Sequence, residues 1–178
     1  MYLKVDDQYY LKALNRNDIS DKYLSWMNDK EVTATLDIGN RNKNVTRSDL
    51  LDYLDSHIDH SYLIGIFTLD GNHIGNYSYK KNPIHKVATL GVVIGDKNYW
   101  GKSVVIKTRS VILDWAFTKD GTNKISSGCY STNIPAILNF KKQKWTQEGI
   151  LRQHRFVNNK FIDFINYSML KDEWLNEH

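Results

Sequence analysis

The chain has 178 residues, 41% hydrophobic and 25% charged, with one cysteine and a formal net charge of +4 at pH 7. That length suits a single domain over 1–178 whose core needs no metal or disulfide to hold it, and a lone Cys129 excludes an internal disulfide framework. The mild positive excess favours anionic ligands such as phosphates, but Lys and Arg are scattered rather than clustered, so nucleic acid is not an expected partner.

Residues 9–14, "YYLKAL", read as a strand that opens on β-formers. A helix is expected from near Asp18, with Ile19, Tyr23, Leu24, Trp26 and Met27 at helical spacing. A polar loop, 39–46, leads to Thr46-x-x-Asp49, a capping-box pattern. The helix behind it should align Leu50, Leu51, Leu54 and Ile58. Apolar runs at 62–69 and 73–79 flank Asp70-Gly71, a strong hairpin signal. A third run, 87–95, completes an antiparallel meander.

Next comes "YWGKSVV", 99–105, and then the most periodic helix in the chain. Val105, Ile106, Arg109, Ile112, Leu113, Ala116 and Phe117 step at three and four, and Gly121 ends the pattern. Residues 124–130 read as a strand. Ser131, Thr132 and Asn133 offer caps for a short helix with Pro135 in its first turn. Two strands, about 145–156 and 160–170, close the chain as a hairpin around "VNNK". The class is α+β, with a mixed, mostly antiparallel sheet of about seven strands and about four helices. The strands at 87–95 and 124–130 are joined through a helix and should be parallel. The chain has no run of 18 apolar residues and opens on no apolar leader, so the expectation is a cytoplasmic protein without a membrane partner.

Four stretches in this order carry a resemblance: "YLSWMNDKEVTATL" (23–36), "LGVVIGDKNYWGK" (90–102), "YSTNIPAILNFKKQKW" (130–145) and "EGILRQHRFVNNKFID" (148–163). Together they look like the GNAT N-acetyltransferase superfamily, in particular its ribosomal-protein and amino-sugar acetyltransferase branch. The resemblance implies acetyl-CoA as acyl donor, bound where the fourth and fifth strands splay apart. It implies that the start of the third helix cradles the pyrophosphate with the pattern Arg/Gln-x-x-Gly-x-Gly/Ala, chemistry that suits the unpartnered N–H groups of a helix N-terminus. Trp100 stands at the Arg/Gln position, followed by Gly101 and Lys102. Ser103 replaces the first glycine, Val104 follows, and Val105 replaces the last small residue. Ser103 is small and carries a hydroxyl. Val105 would crowd the diphosphate if it faced the loop and would be core if it faced the sheet.

The resemblance also implies that a backbone N–H near Val92, Val93 or Ile94 polarises the thioester carbonyl. Phe140 stands where relatives often carry a tyrosine acid, and Thr89 where an acidic residue often sits. The candidate catalytic groups are therefore His85, just before the strand, Asp96 at its far end, and Tyr130 at the mouth of the next strand. Asn133 is similar to the asparagine that meets the CoA arm, and it is also a helix cap. Phe140 is counted among the cofactor contacts. Lys142, in a run with Lys141 and Lys144, is placed to meet the 3′-phosphate, or is a solvated helix end. Lys144 replaces the usual glycine before Trp145. No metal is expected: His57 and His60 share a helix spacing but have no further ligand near them, and the plain reading is a polar helix end. Cys129 reads as packing.

The implied function is acetyl transfer to a primary amine. The acceptor is an amino sugar, as in nucleotide-sugar modification, or a protein N-terminus. A catalytically silent acyl-CoA-binding or interaction module on the same fold is the alternative, favoured by the departures at Thr89, Ser103, Val105, Phe140 and Lys144. Expected partners are a small-molecule amine or amino sugar and, for a homodimer, a second copy of the chain.

Overall fold

The computed structural model describes residues 1–36 and 43–177. Its centre is one eight-stranded sheet in the order β1-β2-β3-β4-β5-β6-β8-β7. The strands are β1 (Tyr2–Lys4), β2 (Tyr9–Ala13), β3 (Ser61–Thr68), β4 (His73–Asn82), β5 (Val87–Ile94), β6 (Lys124–Tyr130), β7 (Thr146–Val157) and β8 (Lys160–Leu170). The helices are α1 (Asp21–Asn28), α2 (Lys30–Thr33), α3 (Arg47–Asp55), α4 (Val104–Thr118), α5 (Ile134–Lys142) and α6 (Lys171–Leu175). β1, α2 and α6 are additions to the sequence reading. At three to five residues each, they are too short to show a period.

Local chemistry sets the joints. Gly71 takes φ +86 in the β3–β4 turn, as the Asp-Gly signal requires. Asn158 and Asn159 both have positive φ, which matches the twist of the β7–β8 hairpin. The capping box at Thr46 and Asp49 is present. α1 begins later than expected. Asp18 closes a short 3-10 turn capped by Asn15, and Ser20 is the true N-cap of α1. α3 ends at Asp55, so Ile58 lies beyond it and is 66% exposed, while Leu50 is buried. The polar loop expected at 39–46 falls partly outside the described residues.

Two apolar layers cover the two faces of the sheet. On one face, Val104, Ile112, Leu113, Ala116 and Phe117 of α4 and Phe140 of α5 pack on Ile64, Tyr77, Tyr79, Leu90 and Ile125. The Tyr77 hydroxyl bonds to Thr108 Oγ1 at 2.8 Å and Tyr79 to Thr122 Oγ1 at 2.6 Å, which satisfies two phenols inside the core. On the other face, Tyr23, Trp26 and Met27 of α1 and Leu50 of α3 pack on Leu63 and Phe67. The buried stripe of α4 starts at Val104, 2% exposed, not at Val105 as the spacing suggested. Arg109 belongs to that stripe and is 3% exposed. Its guanidinium lies over the rings of Phe140 and Trp145, at 4.7 and 5.1 Å, and its Nε donates to Gln143 Oε1.

β5 and β6 form the parallel pair, through the α4 crossover. Only three residue pairs join them: Val87 with Lys124, Ala88 with Ile125 and Thr89 with Ser126. Both strands continue beyond that point without pairing to each other. The sheet therefore forks, and a side chain closes the crotch: Ser127 Oγ donates to the Leu90 carbonyl at 2.6 Å.

Candidate functional site

The fork exposes one edge of β5. The carbonyls of Leu90 and Ile94 are taken from the β6 side, by Ser127 Oγ and by Trp100 Nε1 (2.8 Å). The N–H of Gly95 turns the other way, to Ile74 of β4. Strand alternation then assigns the groups between. The peptide groups of Gly91 and Val93 face β4, and those of Val92 face the open fork. Of the three residues expected to offer an N–H, Val93 is committed to the ladder, and Val92 is the one centred in the gap.

Beyond β5 the chain makes a 3-10 turn (Lys97–Tyr99) and then the loop into α4. Lys97 pairs with Asp29 at 2.8 Å and Glu31 at 2.6 Å, which pins the turn to α2. Trp100 is anchored across the loop by its bond to Ile94. Gly101 and Ser103 both take positive φ, +72 and +58. Ser103 is the N-cap of α4 yet makes no side-chain cap bond. As in any α-helix, the first N–H groups of α4 point out of its N-terminus. The first helical bond is Lys107 N–H to Ser103 O, so the N–H groups of Val104, Val105 and Ile106 precede the ladder. Such an end favours an anion. Val104 fills the core beneath, and Val105 stays outside both apolar layers. The exposed Lys102 adds charge, with its ammonium 5.4 Å from the Tyr99 ring centre.

On the opposite face of the sheet, beside Gly91, Val92 and Val93, lies a cavity of about 300 Å³. Tyr23 and Met27 of α1, Asp49, Leu50 and Tyr53 of α3, and Leu63, Asn76 and Ser78 of β3 and β4 line it. Gly91 has open space where a Cβ would stand. Asp49 is the carboxylate on this wall among the described residues. Asn76 is buried. Its Oδ1 holds His73 Nε2 at 2.7 Å, and its Nδ2 approaches the Tyr23 hydroxyl without forming a full hydrogen bond. Burial, then the neighbouring Tyr53, pushes the Tyr23 phenol well above its ordinary range.

The expected catalytic groups scatter. His85 is exposed in the turn before β5, with its backbone N–H on Asn82 Oδ1. That is the closed end of the fork. Val87 alone is about 16 Å from Val92 at ~3.3 Å per residue, and His85 lies beyond it. Asp96 is at the open end but is committed. Burial alone would raise its carboxyl, but the Lys22 ammonium (2.9 Å) and the Asn98 N–H outweigh that and hold it low. A depressed carboxylate in an ion pair is an anchor and a poor base. Tyr130 ends the β6 arm, 2% exposed against Phe164.

Of the other expected cofactor contacts, Asn133 caps α5 by accepting from Ala136 N–H at 3.2 Å. Phe140 is packed in the core: 3% exposed and stacked on Tyr167 with ring centres 4.4 Å apart. Lys142 is exposed at the end of α5. Lys144, in the glycine position, takes φ +56. The bond from Trp145 N–H to Phe140 O completes the same helix stop that a glycine would make.

His57, set aside in the sequence, stands just past α3 with both ring nitrogens engaged: Nδ1 with the Tyr53 carbonyl at 2.8 Å and Nε2 with Ser78 Oγ at 2.9 Å. These residues are separated by 21 positions, so no local spacing announced the contact. The available signal was a single hydroxyl, Ser78, between two buried tyrosines on β4.

Comparison with known proteins gives the following. The family description "Acetyltransferase (GNAT) domain" matches residues 9–143. An uncharacterized N-acetyltransferase, p20, of Bacillus licheniformis is 29% identical over 87 residues, 49% of this chain and 48% of that protein. The spermidine N(1)-acetyltransferase of Escherichia coli K12 is 26% identical over 132 residues, 73% of this chain and 70% of that protein. The first of these matches thus spans about half of its relative's length. Among solved structures, spermidine N-acetyltransferase from Vibrio cholerae in complex with CoA and spermine superposes with a TM-score of 0.85 at 21% identity. The superposition covers 96% of this chain and 100% of that one.

Proposed function

The chain belongs to the GNAT acetyltransferase family, and from that premise we propose that it moves the acetyl group of acetyl-CoA onto a small primary amine held in the α1–α3 cavity. One observation carries the reading: the unpaired peptide edge of β5 lies between the N-terminus of α4 and the α1–α3 cavity. Acetyl-CoA supplies an activated thioester. The residues of this chain suit its parts. The N–H groups of Val104, Val105 and Ile106, with Lys102, fit the pyrophosphate. The Val92 N–H points at the place where charge would develop on the thioester oxygen. Lys142 is in reach of solvent at the α5 end, for the 3′-phosphate.

The cavity favours a cationic acceptor with an apolar body. Tyr23 and Tyr53 bring aromatic surface to its lining, and Asp49 offers the opposite charge. The sequence reading leaned toward an amino sugar. The wall chemistry and the spermidine acetyltransferase relatives shift the first choice to a polyamine-like amine. A homodimer would find apolar surface at the exposed Ile150, Leu151, Phe156 and Phe161 of the β7–β8 hairpin.

The test is free-thiol release from acetyl-CoA against spermidine, an amino sugar, a nucleotide amino sugar and a peptide N-terminus, with a melting curve run alongside. Turnover with spermidine, and a melting temperature raised by acetyl-CoA, is the expected result. A raised melting temperature with no thiol release for any amine would leave a silent CoA-binding module. No shift at millimolar acetyl-CoA would sink both readings.

A further inference from the structure

Acetyl transfer needs an acceptor amine without its extra proton, and neither expected base serves. His85 is at the wrong end of β5, and Asp96 is held by Lys22. The position where relatives often carry an acid is Thr89, whose hydroxyl only approaches the Lys80 carbonyl, at 3.5 Å. The cavity wall holds another group. Ser78 and Gly91 are direct partners across β4 and β5, so they share a face of the sheet. Because Gly91 has no side chain and nothing stands over it, a small amine has room there. Its nitrogen would then have the Ser78 hydroxyl on one side and the Val92 peptide on the other.

Behind Ser78 is His57. The Tyr53 carbonyl can only accept, so it fixes the proton of neutral His57 on Nδ1. Nε2 is then a lone pair, and at 2.9 Å it accepts from Ser78. We infer that Ser78 and His57 form the proton relay that prepares the acceptor amine. The inference rests on the acetyltransferase reading. As the ammonium gives a proton to Ser78 Oγ, that oxygen passes its own proton to Nε2, leaving a neutral amine and an imidazolium. The amine nitrogen bonds to the acetyl carbon and the carbon–sulfur bond breaks. The second proton of the nitrogen goes to the departing sulfur, and the imidazolium returns its proton to water. The net products are the acetamide, CoA thiol and one proton.

The surroundings of His57 keep it neutral. Burial, and then the Lys80 ammonium of β4, depress the imidazole, and the Tyr53 carbonyl offsets this only in part. From α3 the Tyr53 ring meets it edge-on at 4.7 Å, and the same ring carries Lys80 at 5.7 Å. Asp49 of α3 is the charged group lining the cavity among the described residues. Acting through Ser78, His57 is a positioning residue for that hydroxyl and the reservoir for its proton.

The test compares the unaltered protein with His57→Gln, Ser78→Ala, the double variant and Lys80→Gln. Acetyl-CoA is the donor, and spermidine or hydroxylamine, which is already neutral at pH 7, is the acceptor. With spermidine, each single variant should lose about 10²-fold in kcat, with KM within about threefold. The double variant should be no worse than either. Hydroxylamine transfer, corrected for the uncatalysed reaction, should persist in all. The acid limb of the spermidine pH profile should lie below the ordinary histidine range, move up in Lys80→Gln, and vanish in His57→Gln. An unchanged kcat in both single variants, losses that multiply, or an equal loss with hydroxylamine would overturn the relay while acetyl transfer stands. No transfer by the unaltered protein overturns the acetyltransferase reading, and the relay with it. Ser78→Ala removes one oxygen from a half-exposed strand position, so it keeps the test open should His57→Gln fold poorly.

Discussion

On the donor side of the fork, one continuous stretch from Ile94 to Lys107 supplies the anchor, the two left-handed turns and the helix end. On the acceptor side, α1, α3, β3, β4 and β5 each contribute one to three wall residues, spread along the chain from Tyr23 to Val93. The donor side is mainly backbone chemistry, N–H groups at a helix end, with Lys102 and Lys142 adding charge. The acceptor side is side-chain chemistry, with two rings, a carboxylate, an amide and a hydroxyl. A backbone cradle tolerates changes of residue as long as the path of the chain survives. A side-chain pocket changes its ligand with a single substitution. The two halves of one site therefore differ in how far a family resemblance reaches: far for the donor, and only to the class of amine for the acceptor.

Gly91 is the place to separate the halves. Gly91→Val fills the open space beside Ser78 and should lower kcat/KM for the amine by about 10²-fold. Nothing stands within 4 Å of its Cβ, so the fold should change by less than about 1 kcal/mol. The rise in melting temperature with acetyl-CoA should be intact. Equal loss of donor and acceptor would mean that the halves are not separable at this strand.

The smaller effect is on the donor side. Ser103 and Lys144 hold left-handed conformations that cost a non-glycine residue ~1 kcal/mol. Glycine would relieve that cost but add freedom to the unfolded chain, worth about 0.4–1 kcal/mol. Ser103→Gly and Lys144→Gly should thus change stability by between zero and about +1 kcal/mol in denaturant titrations. Acetyl-CoA affinity in Ser103→Gly should stay within about threefold. A larger loss would assign the Ser103 hydroxyl a direct place on the phosphates, beside Lys102.

The same contrast explains what could be read from the chain. Asp70-Gly71, Thr46-x-x-Asp49 and the paired asparagines after Val157 are short-range signals, and each appears where it was expected. The fork follows from a crossover helix and a resemblance, and both are visible in sequence. The buried stripe of α4 starts one residue before the Val105 that its spacing suggests. Val104, Val105 and Ile106 are all apolar, and only the left-handed turn at Ser103 decides which of them faces inward. His85 misled because nearness in sequence to β5 says nothing about which end of a parallel pair opens. Phe140 was expected at the cofactor. Its place among Tyr167, Trp145 and Arg109 is a long-range matter. His57 and Ser78 meet across a helix end and a strand, and only folding brings them together.

The half-paired state of β5 also sets a clock on its protons. The amides of Gly91 and Val93 are bonded into β4, and that of Val92 looks into the fork. Exchange with heavy water along this strand should therefore run fast at Val92 between two slow neighbours, a period of two inside a single strand. Acetyl-CoA should quiet Val92 and leave Gly91 and Val93 as they were. Read by NMR, one amide would then report whether the donor is seated, before any acceptor is known.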